Sequence, residues 1–163
     1  MARFADFPMR FPFKIIIIFL VLGLSGCTTI EIPSYVKDQH PYKRKVYVSF
    51  DDTLKATQHV LEESAWVIKT QAKPSVYEMT YAHDEDSEVK QVMLITDIKQ
   101  GSFILGTAYT RLNIFIVSSQ ANETDIELRY LTIKSFPLKS FTSYRKDHAA
   151  NQILDKIEKA LSK

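Results

Sequence analysis

The chain has 163 residues, a formal net charge of +2 and 45% hydrophobic residues, enough for one ordinary domain with its own core. Its single cysteine excludes an intramolecular disulfide and a cysteine-built zinc site. Its four glycines, Gly23, Gly26, Gly101 and Gly106, are too few and too scattered for a phosphate-cradling loop or a dinucleotide fingerprint.

Residues 1–14 carry Arg3, Arg10 and Lys14 against Asp6, the net positive start of an export signal. Residues 15–24 follow without a charge, and ten helical residues span only about 15 Å of a hydrocarbon core of about 30 Å, so they read as the apolar heart of a signal, not as a membrane span. Leu24, Ser25, Gly26 and Cys27 then resemble the lipobox of bacterial lipoproteins cleaved by the type II signal peptidase. The resemblance implies cleavage before Cys27, a diacylglycerol on its thiol and, in many bacteria, a further acyl chain such as palmitate on its amine. It thus implies membrane lipid as a partner through acylated Cys27, because two or three chains anchor stably where one does not. Threonine at positions 28 and 29, where aspartate would favour inner-membrane retention, implies the inner leaflet of the outer membrane, facing the periplasm.

Loss of residues 1–26 leaves 137 residues and removes three basic groups and one acidic group, so the 21 basic and 19 acidic residues become 18 of each. A neutral mature chain lacks the basic stripe that recruits phosphates, and nucleic acid is not an expected partner. Residues 27–44 mix Pro33 and Pro41 with polar residues and show no period, so they read as the lipidated cysteine and a flexible tether, ending in the solvated run Lys43, Arg44, Lys45. Residues 45–163 are then the single periplasmic domain.

Within that domain the alternation of Val46, Val48 and Phe50 with Lys45, Tyr47 and Ser49 predicts a first strand. Asp51 or Asp52 is placed to cap a helix running to about Ser64, with Leu54, Thr57, Val60, Leu61 and Ala65 along one side. A strand at 66–71, a turn at 72–75 and a strand at 76–81 are expected to form a hairpin. The charged run 83–88 predicts a connection, 89–98 another strand, and Gly101 with Ser102 a turn. Residues 103–117 read as one long strand bent at Gly106 and apolar on both faces, followed by a turn at Asn122 and Glu123 and a last strand through Ile126, Leu128 and Tyr130, closed by Pro137. From about Phe141 to Leu161, a stripe of Ala149, Ala150, Ile153, Leu154, Ile157, Ala160 and Leu161 predicts an amphipathic helix.

The order strand, helix, meander, helix predicts an α+β fold: an antiparallel sheet of about five to six strands with two helices on one face. The run LEESAWVI (61–68), with the lipobox and the final helix, resembles the helix-grip domains of BamC-type outer-membrane assembly lipoproteins. One such domain is present where BamC has two.

Chemical motifs are sparse. His83 with Asp84, Glu85, Asp86 and Glu88 lacks the ligand spacing and the glycine of a calcium loop, and His40, His59 and His148 lack zinc spacing, so no metal and no cofactor are expected. Ser102 has no nucleophile-elbow context, and Asp51 with Asp52 or Glu62 with Glu63, adjacent along one helix, point apart, so no catalytic residue and no enzyme are expected. Eight tyrosines suit a half-wet interface or the cover of an exposed sheet. The expected function is a lipid-anchored module that binds another envelope protein in outer-membrane assembly or maintenance, or a carrier of a lipid or apolar small molecule between the sheet and the C-terminal helix.

Overall fold

A computed structural model describes residues 29–78, 89–120, 122–137 and 139–162. The lipobox and Cys27, and the charged run 83–88, lie outside these residues. Strand β1 (Tyr42–Val46) leads into helix α1 (Phe50–Glu63), then β2 (Ile68–Ala72), a 3-10 turn (Pro74–Val76), β3 (Gln91–Thr96), β4 (Lys99–Phe103), β5 (Gly106–Gln120), β6 (Glu123–Ser135), β7 (Ser140–Ser143) and helix α2 (Asp147–Leu161). All pairings are antiparallel, in the order β1-β6-β5-β3-β2, with β4 added beside β5 and β7 beside β6. Both helices pack on one face, so the α+β architecture expected from the sequence is the observed one.

The long β5–β6 hairpin organises the sheet. Leu112 pairs with Tyr130, Ile114 with Leu128 and Ile116 with Ile126, and because side chains alternate across a strand these residues share the helix-facing side. There they meet Val60 and Leu61 of α1 and Ala150, Ile153, Leu154 and Ile157 of α2, all buried. The stripe read for the C-terminal helix is the face that α2 buries.

Helix α1 starts earlier than expected. Ser49, not Asp51 or Asp52, is its N-cap: the Ser49 hydroxyl accepts from the Asp52 amide at 3.3 Å and meets the Asp52 carboxylate at 2.6 Å. At the other end Ala65 adopts φ 56°, the Ala65 amide donates to Glu62 O and the Trp66 amide to Leu61 O, each at 2.8 Å, the two bonds of a left-handed helix terminus. Lys99 adds a third, its ammonium donating to Ser64 O at 2.8 Å while lying 4.1 Å from the centre of the Trp66 ring.

Four boundaries differ from the sequence reading. The first strand is Tyr42–Val46, so Lys43, Arg44 and Lys45 are not a solvated linker end but strand residues ion-paired to Glu127 (3.2 Å), Asp155 (3.0 Å) and Glu123 (2.6 Å). Strand β2 pairs with β3, not with a strand at 76–81. Pro74, which has no amide hydrogen to give a ladder, opens a 3-10 turn through Val76, and residues 79–81 lie outside the described set. Gly101 and Ser102 lie inside β4, the turn falling instead at Ile104 and Leu105, where Phe103 pairs with Gly106. Residues 140–143 are strand β7 on the edge of β6, so the last helix begins at Asp147 and the strand through Tyr130 is not the last.

Gly106 begins β5 at a close crossing: a Cβ there would overlap the Ser135 carbonyl oxygen. Two substitutions of opposite sign follow. Ala65→Gly removes a left-handed non-glycine residue and raises stability by about 1 kcal/mol, whereas Gly106→Ala forces β5 from β6 and lowers it by about 1–3 kcal/mol. Urea unfolding of both variants beside the wild type measures the two shifts.

Candidate functional site

The alternation that puts Leu112, Ile114 and Ile116 on the helix side puts Arg111, Asn113 and Phe115 on the other, with Glu127 and Arg129 of β6 beside them in register. In an open two-layer fold this back face would be wet. Here Arg111, Asn113, Glu127 and Arg129 are all buried, because residues 30–36 run across them as a strap.

The strap is held by side chains. Asn113 acts as a substitute strand partner, its Oδ1 accepting from the Val36 amide at 2.6 Å and its Nδ2 donating to Ser34 O at 3.2 Å. Arg111 Nη1 donates to Pro33 O at 2.6 Å, and Arg129 Nη1 reaches Val36 O at 3.4 Å. Apolar contacts complete the seal: Val36, with 0% exposure, packs with Leu131, Ile133, Ile30 and Ile32, and Tyr35 lies edge-on to Phe115 at 6.4 Å. The stretch read as a flexible tether is therefore, from Ile30 onward, part of the folded body, since its alternate residues Ile30 and Ile32 have an apolar strip to cover.

Arg129 is the centre of charge. Its guanidinium lies 4.3 Å from the Phe115 ring centre and holds Glu127 on one side, Nε to Oε1 at 2.7 Å, and Glu78 on the other, Nη1 to Oε1 at 2.8 Å and Nη2 to Oε2 at 3.2 Å. Arg129 also donates to the Tyr35 hydroxyl at 2.6 Å, and that hydroxyl donates to Glu78. Burial by itself would lower the guanidinium's proton affinity; the hydrogen bonds it donates to Glu78 and Glu127 outweigh that and raise it. The Arg129 hydrogen bond holds the Glu78 carboxyl below the usual carboxylate range, and burial pushes the Tyr35 hydroxyl up to about 12. Tyr35 is therefore neutral and Glu78 and Arg129 charged at neutral pH, so neither oxygen acid is poised to exchange a proton with a substrate.

The residues singled out in the sequence are not gathered here. Asp51 pairs with Lys90 at 2.8 Å, Glu63 with His59 at 3.2 Å, and Ser102 is exposed on β4. The tyrosines are dispersed: Tyr35 and Tyr77 stack at 5.2 Å on the back, whereas Tyr130 meets Trp66 edge-on at 6.5 Å in the front core. Among the described residues no group of three His, Cys, Asp or Glu is arranged to hold a metal, and no helix is long and apolar enough to cross a membrane. The polar back face was missed, although polar residues at 111, 113, 127 and 129, two apart inside apolar strands, are its signal.

Compared with models of known protein families the chain matches none. A comparison with curated proteins finds no match either.

Loss of Arg129 takes the guanidinium from buried Glu127, which keeps its ion pair to Lys43, and from Glu78, so Arg129→Met destabilises the fold by about 3 kcal/mol. Glu78→Gln costs less, since Glu78 is partly exposed, and it alters the acid limb. The depressed Glu78 carboxyl adds stability that is present above its unfolded pKa of about 4.5 and lost as the pH falls through the lower folded value. Urea midpoints measured from pH 7 down to pH 3 fall less steeply for Glu78→Gln than for the wild type.

Proposed function

We propose that the chain is a lipid-anchored, non-enzymatic module of the cell envelope, held through acyl chains on Cys27 and acting by binding another envelope protein in outer-membrane assembly or maintenance. The observation that carries this reading is the strap. Three residues after Cys27 the chain packs on the sheet through Ile30, and six residues after it the backbone enters a clamp of Arg111, Asn113 and Arg129, so an anchor on that cysteine is joined to the sheet itself. A chain that ends its signal in a lipobox and then threads its first residues into its own core uses its N-terminus as a mechanical attachment. The inner leaflet of the outer membrane is the favoured site because Thr28 and Thr29 stand where an aspartate would favour retention.

The polar groups around Arg129 are spent on one another and on the strap, an arrangement that serves structure and leaves binding to the surface. A lipid carrier is favoured less. An opening between α2 and the sheet, lined by Ser64, Trp66, Tyr130, Ala149, Ile153 and Lys156, has a volume of about 230 Å³, below the roughly 300 Å³ at which small-molecule pockets begin.

Growth with an alkyne-tagged palmitate tests the anchor: the full chain takes up the tag and floats with membranes, and Cys27→Ser does neither. Crosslinking of the lipidated protein in membranes then tests the module. Reproducible recovery of an outer-membrane assembly component supports it, and a stoichiometric small molecule without a protein partner overturns it.

A further inference from the structure

Beyond the helices the β5–β6 hairpin continues as an arm, with β4 on one side and β7 on the other. Its end is apolar where hairpin ends are ordinarily polar. The two-residue turn of β4–β5 is Ile104 and Leu105, not the Asn-Gly or Asp-Gly that such turns favour, and these side chains are 100% and 66% exposed. Phe141, on the β6–β7 hairpin, is 50% exposed. The two ends are locked together by Gly106 seated on Ser135 and by edge-on rings, Phe103 to Phe136 at 5.2 Å and Phe136 to Phe141 at 5.6 Å. The result is one rigid apolar fingertip rather than two loose loops.

The charge on its two hairpins has one sign. The sequence holds no acidic residue between Asp97 and Glu123, and none between Glu127 and Asp147. Exposed Lys134 and Lys139 flank the rings, with the Lys139 ammonium 4.8 Å from the centre of Phe141. Glu31, exposed on the strap between Ile30 and Ile32, is a carboxylate near this end.

The strap also sets direction. Val36 lies on Asn113, Pro33 on Arg111, and Ile30 and Ile32 against Leu131 and Ile133, so the chain traced back toward its N-terminus runs toward the start of β5 and the end of β6. That is the fingertip end. Thr29 is two residues from Cys27, a reach of about 7 Å at most.

We propose that the paired tips of the β4–β5 and β6–β7 hairpins are a second membrane contact, in which Ile104, Leu105 and Phe141 enter the interface of an anionic bilayer while Lys134 and Lys139 meet its phosphates. The proposal rests on the acyl-anchor reading, because the short reach from Cys27 to the strap brings the anchor and the tip to the same bilayer. Lysine stems alongside aromatic rings suit that depth, burying methylene groups while the ammonium stays at the headgroups.

The test uses the full, lipidated chain carrying Ile104→Cys labelled with an environment-sensitive fluorophore, in vesicles of phosphatidylethanolamine and phosphatidylglycerol. Tyr47→Cys, exposed just beyond Val46 and so at the opposite end of the sheet, is the control. The expected result is loss of roughly half the Ile104-site emission to doxyl-labelled lipid, with little loss at Tyr47, and a weaker effect in Lys134→Glu/Lys139→Glu. Acylated protein that floats with vesicles but shows no lipid quenching at position 104 overturns the tip contact and leaves the anchor standing. A free thiol at Cys27, read from the mass of its peptide, overturns both. Protection from aqueous iodide that rises with protein density, without lipid quenching, gives the tip to a second copy of the chain and overturns the membrane contact.

Discussion

The pleat of strand β5 is the constraint on which the rest depends. Leu112 and Asn113 are adjacent in sequence and point to opposite faces, and the alternation continues through Ile114, Phe115 and Ile116. One face takes two helices over aliphatic side chains; the other takes the strap over a row of polar ones. A slip of β5 by one residue against β6 would set Asn113 under the helices and Leu112 under the strap while Arg129 stayed on the back face, so the two coverings fix the register from both sides.

The back face needs its charges in balance. Burying Arg129 and Glu127 costs desolvation that mutual attraction offsets only with good geometry. Here the guanidinium meets carboxylates on two edges and an aromatic ring on its face, while its remaining donor capacity goes to Tyr35 and Val36 O. An aliphatic residue at position 129 would pack, but it would not hold the backbone of the strap. Specificity for that one segment is what the polar row contributes, as Asn113 does in donating to and accepting from the same chain.

The sequence makes the two-layer plan legible because its strongest signals are the periods of the buried faces: 3.6 along α2 and two along β5 and β6. Where an element buries little, the signal fails. Strand β4, KQGSF, is exposed over most of its length, and its glycine imitates a turn while the true turn, Ile104 and Leu105, imitates a strand. Strand β7 is exposed throughout, so its sequence carries no buried-face period to set it apart from the helix that follows. The strap has the composition of a linker, since Pro33, Ser34 and the carbonyls that Arg111 and Asn113 bind reveal nothing about a partner 77 to 79 residues away. The Arg129 cluster hid for the same reason: local alternation shows which residues share a face, but not that a distant segment covers it.

A tether and a strap make different mechanical objects. A tether of some 17 residues would let a domain wander many tens of ångströms from its anchor and turn freely. A strap bound from Ile30 onward begins only three residues from Cys27, so a lipid on that cysteine would fix both the height and the attitude of the sheet. The end bearing Tyr47 and Asp51 would then stand farthest from the bilayer, with the helices and the edge strand β2 facing sideways. Edge strand β2, whose Lys69, Thr70 and Gln71 are exposed, would be presented at a set height to other proteins on the same membrane, where a fixed orientation raises the fraction of encounters that dock. The binding of residues 30–36 to the sheet is therefore what would convert a lipid anchor on Cys27 from a leash into a mount.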